Sequence, residues 1–376
     1  MGEWMEMAAL LWLVNEMTNS PFTVTLVNFA RMGPMIIFSF LGGLVVDRMN
    51  RRNVLIMALL ASTLLSLVLF VLVHTGTVAV WNILLISVLG GVATSFNHPA
   101  RQTMVPNLVK REHLMNAISL DTTSVMASRV IATPIAGILI QLFGVTPVFG
   151  LRAAGAGAAI IWLLFIPAML PPENTQKRNP FQDLKQGFSY LRQQPLILGQ
   201  VLFWGLPSLA HAAFNGLLPA FSKDVLKVGP FGYGILQAAT GLGSITSLLT
   251  LATKGQVRRR GLVMLASGMG MGIAFMGFAY SPWFISSVFL AIAIGAMNTS
   301  LTTVNNTIIQ EFLTDQMRGR VMSLREVMTG LGPAASLMVG SAAEIAGLTV
   351  ATAGLGAVVL AIPLALWLLP TRMKKI

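Results

Sequence analysis

Cysteine is missing altogether from the 376 residues. That excludes a disulfide framework, a thiolate metal site and a thiol nucleophile. Histidine is scarce, four in all, and no two stand at metal-ligand spacing, so no metal centre is expected. No glycine-rich loop ends in Lys-Ser or Lys-Thr, so no phosphate-cradling nucleotide site is visible. A membrane enzyme would need His, Asp and Glu clustered at a water interface, and no such cluster stands out; no cofactor is expected. Charge is scarce as well. Asp, Glu, Lys and Arg make up 10% of the residues, against about 25% in a soluble domain. Acids are the rarer sign, 13 against 25 bases, for a net charge of +12.

What fills the chain is apolar: 55% hydrophobic residues and a mean hydropathy of +0.75. Such a chain cannot cover its surface with polar groups in water, so lipid must be its solvent. A spanning helix needs about 20 mostly apolar residues to cross a core of ~30 Å. Eleven segments qualify: 22–46, 53–74, 79–98, 117–143, 146–170, 196–221, 231–253, 261–280, 282–304, 321–346 and 348–370. These runs exceed the ~10 residues of a barrel strand and do not alternate, so the expected class is an all-α membrane protein. A twelfth segment, 4–14, is short. The stretch 2–15 makes roughly 21 Å of helix. That predicts a natural start further upstream or a truncated first helix.

The bases cluster between the apolar runs. Arg48/Arg51/Arg52, Arg101/Lys110/Arg111, Lys177/Arg178/Lys185/Arg192, Lys254/Arg258/Arg259/Arg260, Arg318/Arg320/Arg325 and Arg372/Lys374/Lys375 account for 20 of the 25. They fall on alternate loops, and the opposite loops hold only Lys223 and Lys227. This is a topology signal rather than a nucleic-acid surface, and it places the basic loops and the C-terminus in the cytoplasm.

The longest polar stretch, 171–195, divides the spans into halves at 1–170 and 196–376. Within it, Phe181, Leu184, Phe188 and Leu191 recur at helical spacing, which predicts an amphipathic helix on the membrane surface. The halves repeat. Arg51-Arg52 and Asn97/Gln102 recur as Arg259-Arg260 and Asn305/Gln310, at one constant offset of 208. That argues for a duplicated six-helix unit.

The most specific motif is Gly43-Leu-Val-Val-Asp47-Arg48-Met-Asn50-Arg51-Arg52. It resembles the loop signature of the major facilitator superfamily, with Asn50 where the family has a second glycine. Asparagine tolerates a left-handed backbone, so the tight turn is expected to survive. Asn97-His-Pro99-Ala-Arg101-Gln102-Thr-Met-Val-Pro106, Asn116-Ala-Ile-Ser-Leu120, the opening Gly2-Glu3-Trp4 and Arg318-Gly319-Arg320-Val321-Met-Ser323-Leu324 narrow the resemblance. They are similar to the branch that includes the enterobactin exporter and macrolide-efflux-like proteins. The resemblance covers essentially the whole chain. It implies two six-helix bundles around a substrate path lined by the first, fourth, seventh and tenth helices. It also implies a cytoplasmic conformational gate of Gly43, Asp47, Arg48, Arg51, Arg52 and Arg101. Asp47 is expected beside Arg101 or near Val321, at the start of the eleventh helix. Thr133-Pro134-Ile-Ala-Gly137 resembles the antiporter kink signature, with a structural helix kink as the competing reading. The fourth-helix arginine of many proton-drug antiporters is absent near Ser87. Gly155-Ala-Gly157 and Gly241-Leu-Gly243 lie in apolar helices and are read as packing positions.

Charges inside apolar segments are functional candidates by default. Glu3 lies roughly 18 Å from the outer end of its helix, Arg31 roughly 14 Å into the second, and Arg129 roughly 21 Å into the fifth. Glu6 is one turn from Glu3. Two acids and two bases are thus expected at one level, as a proton or substrate site or as a structural ion pair. Arg152 also lies inside an apolar segment. In the second half Trp204, His211 and Asn215 share one helix face, and Asn298, Thr302 and Asn305 another. On cavity-lining helices these are substrate candidates, with packing as the alternative. Glu344 is expected at the membrane interface, and Asp121 and His211 are the reserve proton candidates.

Together these features predict a secondary active transporter of the inner or plasma membrane. The expected cargo is a small amphipathic compound, drug or siderophore, exported by alternating access. The resemblance makes the proton the coupling ion. An uptake symporter on the same fold and a non-transporting membrane receptor remain alternatives.

Overall fold

The computed structural model describes residues 1–167, 188–254, 259–313 and 315–368, and no strand occurs among them. The helices are α1 (Gly2–Thr18), α2 (Pro21–Arg48), α3 (Arg51–His74), α4 (Val80–Leu108), α5 (Leu114–Phe143) and α6 (Thr146–Leu164). They continue as α7 (Pro195–Ala220), α8 (Gly229–Lys254), α9 (Arg260–Ala279), α10 (Phe284–Phe312), α11 (Asp315–Gly330), α12 (Gly332–Ala346) and α13 (Leu348–Leu368). Among the described residues nine helical segments are long and apolar enough to cross a membrane. Of the surface helix expected at 171–195, Phe181 and Leu184 lie outside the described residues. Residues 188–193 are helical, with Leu191 buried and the Arg192 guanidinium 4.7 Å from the Phe188 ring centroid.

Three departures from the sequence reading have local causes. Asn50 does not adopt a left-handed turn. Its φ is −59°, and its side-chain oxygen accepts the Arg52 backbone N–H at 3.1 Å, so it caps α3. An amide oxygen offers a cap that glycine cannot, and the backbone takes it. The span expected at 321–346 is broken. Leu331, between the terminal glycines Gly330 and Gly332, separates α11 from α12, and Pro333 in the first turn of α12 has no N–H to continue the preceding helix. Third, α4 and α10 run well past their apolar stretches, so Arg101 stands on a helix rather than in a loop. The left-handed residue of the first connection is Asn19, at φ 49°. It ends α1 just before Pro21 opens α2.

The contacts divide the chain into two compact units. The first comprises the described parts of Met1–Asn19, Leu26–Gln176 and Gly229–Gly234. Its helices meet at glycines. A Cβ on Gly91 of α4 would collide with the Arg31 carbonyl of α2, and one on Gly137 of α5 would lie 2.6 Å from the Pro230 carbonyl. The antiporter-like stretch joins the same contact, with the Thr133 hydroxyl donating to the Gly234 carbonyl at 3.4 Å. Val46, Val54, Leu55, Ala100 and Met104 form an apolar core nearer the basic end.

The second unit comprises the described parts of Ser20–Thr25, Lys177–Val228 and Ile235–Ile376. Phe214 packs at 5.1 Å on Phe275 and 4.8 Å on Phe278, measured between ring centroids. Gly243 of α8 lies against the Ile292 carbonyl of α10, the close packing read from its spacing. Gly155 and Gly157 of α6 do not follow that reading, since nothing lies within 4 Å of a Cβ at either.

Candidate functional site

The first unit carries a charge cluster among its apolar helices. Glu6, on the second turn of α1, is 2% exposed. Arg31 of α2 approaches it from one side, Nη1 to Oε1 at 3.5 Å, and Arg152 of α6 from the other, Nε to Oε2 at 3.2 Å. Two guanidiniums therefore face one carboxylate. Local sequence makes room for both. A Cβ on Gly90 of α4 would lie 2.6 Å from Arg31 Nη1, and one on Gly2 would lie 2.7 Å from Arg152 Cδ. Ser87, one turn before Gly90, is fully buried, and its hydroxyl has no hydrogen-bond partner among the described residues.

This is not the four-charge arrangement expected from helix depth. Glu3 is exposed while Glu6 is buried. Three residues turn a helix by about 300°, so the two side chains stand about 60° apart and differ in burial. Arg129 does not pair with Glu6; its guanidinium lies 5.1 Å from the Trp4 ring centroid, a cation–π contact. The missed partner is Arg152. An arginine with no polar neighbours in an apolar run was itself the signal.

Of the expected gate, nothing is described of Gly43 and Asp47 beyond their place on α2. Arg48 is exposed. Arg51 Nη1 donates to the Thr103 carbonyl at 3.2 Å, and Arg52 Nη1 to the Ile166 carbonyl at 2.7 Å. The second of these bonds satisfies a carbonyl just past the end of α6 at Leu164, where a cation also complements the helix dipole. Arg101 forms an ion pair with Asp121 at 3.7 Å. In the second copy of the motif, Arg260 pairs with Glu311.

The second unit holds its own buried cation. Arg325, read from sequence as a loop base, stands on α11 and is 5% exposed. Its guanidinium lies 4.2 Å from the Trp204 ring centroid and donates to Asn306 Oδ1 at 2.7 Å. Trp204 thus serves Arg325 and a core that includes Phe203, Met264 and Leu301. Asn305 is fully buried and donates to the carbonyl and side-chain oxygens of Gln200, both at 2.9 Å, so it ties α10 to α7. Asn215 donates to the His211 carbonyl at 2.7 Å. Asn298 and Thr302 are half-buried, and Asn298 Oδ1 has no partner among the described residues. Glu344 is exposed and accepts from the Ser20 hydroxyl at 2.9 Å and the Phe22 N–H at 3.4 Å, a carboxylate at the start of α2. Among the described residues no group of three or more His, Asp or Glu is placed to hold a metal ion.

The chain matches the family of transmembrane secretion effectors over residues 1–375. It is 30% identical over 362 residues to the enterobactin exporters EntS of Shigella boydii serotype 18 and Escherichia coli O81, covering 96% of this chain and 86% of each exporter. Its fold is similar to that of a crystallised peptide transporter, POT, with TM-score 0.78, 12% identity and coverage of 100% and 92% of the two chains. It is also similar to the nucleoside transporter NupG, with TM-score 0.74, 14% identity and coverage of 98% and 97%.

Proposed function

We propose that this chain, a multi-pass membrane protein that belongs to the transmembrane secretion effector family of major facilitator transporters, exports a small amphipathic compound, drug or siderophore. The export direction follows the 30% identical exporters. The transporter works by alternating access in the inner membrane, with its C-terminus in the cytoplasm as the basic loops demand. The proton is the coupling ion. Gly43, Asp47, Arg48, Arg51, Arg52 and Arg101 form the cytoplasmic gate, and Asn298, His211 and Asn215 contribute polar groups to the substrate path.

The observation that carries this reading is the Glu6–Arg31–Arg152 cluster. Ionic groups within apolar helices are costly and are kept where cargo or ions use them. Glu6 is the carboxylate that takes and releases the proton; Glu3, being exposed, contributes little.

The test is efflux from proteoliposomes against a panel of amphipathic compounds under an imposed pH gradient. Glu6→Gln is expected to abolish the proton-driven component, and Glu3→Gln to leave it within about twofold, as surface changes usually do. Full proton-driven flux in the double variant would exclude both residues. Attention would then move to Asp121 and His211.

A further inference from the structure

Arg31 and Arg152 present ten N–H donors between them, five on each guanidinium. Among the described residues each pairs only with the Glu6 carboxylate, at 3.5 and 3.2 Å, and the buried Arg152 Nε has no hydrogen-bond partner. Buried donors in native proteins are nearly always satisfied, and charged ones most expensively unsatisfied if they are not. The charge count is as uneven as the donor count: two cations and one anion leave this cluster at +1. Both arginine side chains keep some exposure, 9% and 10%, while that of Glu6 keeps 3%. The surplus donors are therefore the more accessible part of the cluster.

From this surplus we infer that the transported compound carries an acidic group, a carboxylate or similar oxyanion on an apolar body, that docks on Arg31 and Arg152. The inference rests on the transport reading and names the chemical class of its cargo. The planar guanidinium fork matches an oxyanion through two parallel bonds, which an ammonium cannot do. A bound acid would bring the cluster to neutrality within the apolar interior. Glu6 then acts as a placeholder: its carboxylate engages the same two guanidiniums and competes with the cargo. Gly90 is a positioning residue, because its missing side chain leaves space for the Arg31 guanidinium.

The experiment is equilibrium binding of tritiated 1-naphthoate and of its neutral amide, 1-naphthamide, to the full chain in lipid nanodiscs. Naphthoate should bind saturably, about tenfold or more tighter than the amide, as a charge-assisted bond pair gives. Arg152→Gln should weaken naphthoate by about tenfold and leave the amide alone. Glu6→Gln should do the reverse and tighten naphthoate, because it removes the competitor. A purely structural triad would lose binding, or folding, from either change. Equal binding of acid and amide, no saturable naphthoate binding, or weakening by Glu6→Gln would each overturn the inference. If Arg152→Gln fails to fold, Glu6→Gln decides alone. Flux separates the two levels. Catalysed movement of neutral compounds without naphthoate binding would leave the transport reading and remove this one. The binding signature without flux of any compound would do the opposite.

Discussion

Single residues decide which polar groups in this protein are structural and which remain available. Asn50 illustrates the first kind. Its side-chain oxygen holds the Arg52 N–H at the start of α3, and losing such a cap costs about 1 kcal/mol. Asn50→Ala should lower the thermal unfolding midpoint in detergent, while Asn50→Ser, which retains a cap at φ −59°, should hold it. If serine proves worse than alanine, the capping role is wrong. Asn305 is structural through its amide nitrogen, whose two bonds go to Gln200, while its Oδ1 has no partner among the described residues. Asn298 and Ser87 keep buried oxygens without partners among the described residues. Sequence could list Asn298, Asn305 and Ser87 as polar residues in apolar runs, but it could not rank them, because partner choice depends on the neighbouring helix.

At the scale of elements, glycine placement sets how close the helices come. Gly243 meets the Ile292 carbonyl, whereas Gly157 meets nothing within 4 Å, although both looked like packing positions in sequence. Overpacking a close contact costs about 1–3 kcal/mol, and Gly to Ala in an open helical position gains up to about 1 kcal/mol. Gly243→Ala should therefore lower the unfolding midpoint and Gly157→Ala should hold or raise it. Equal losses in both would mean that the Gly243 contact does not set the α8–α10 approach. Element ends were the least legible feature. The apolar run that marked the eleventh helix begins at Val321, but α11 begins at Asp315 with polar residues, so Arg318 and Arg320, counted as loop bases, stand on the helix, as does Arg325 within the span expected at 321–346. Hydropathy registers lipid-facing and core residues; it does not register a polar turn that stays helical because backbone bonds continue.

At the scale of the whole molecule, the uneven charge is a topology device and also an energetic setting for the cargo. An acid leaving as its anion moves outward down an inside-negative potential, worth ~2.3 kcal/mol per elementary charge per 100 mV. In proteoliposomes, a potassium-diffusion potential, negative inside, should speed the release of loaded 1-naphthoate and leave 1-naphthamide unaffected. A naphthoate flux that ignores the potential and follows only the pH gradient would mean that the acid leaves together with a proton, as neutral cargo. The two outcomes separate charge movement from proton coupling, which the buried Glu6 alone does not do.

Composition and periodicity by themselves determined that this is a helical membrane protein. Apolar runs of about 20 residues have no other stable fate in a chain with 10% charge. The motif around Asp47 and the repeat at an offset of 208 pointed to the major facilitator family, because both are properties of spacing along the chain. Helix depth correctly put Glu6 and Arg31 at one level, since rise per residue is constant. Rotation about the helix and the choice of neighbour are not local quantities. Only the tertiary structure left Glu3 exposed, sent Arg129 to Trp4, and brought Arg152 of α6 to the carboxylate that Arg31 already held. The Arg129–Trp4 and Arg152–Glu6 contacts join residues more than a hundred positions apart, and helix packing, not sequence spacing, brings them together.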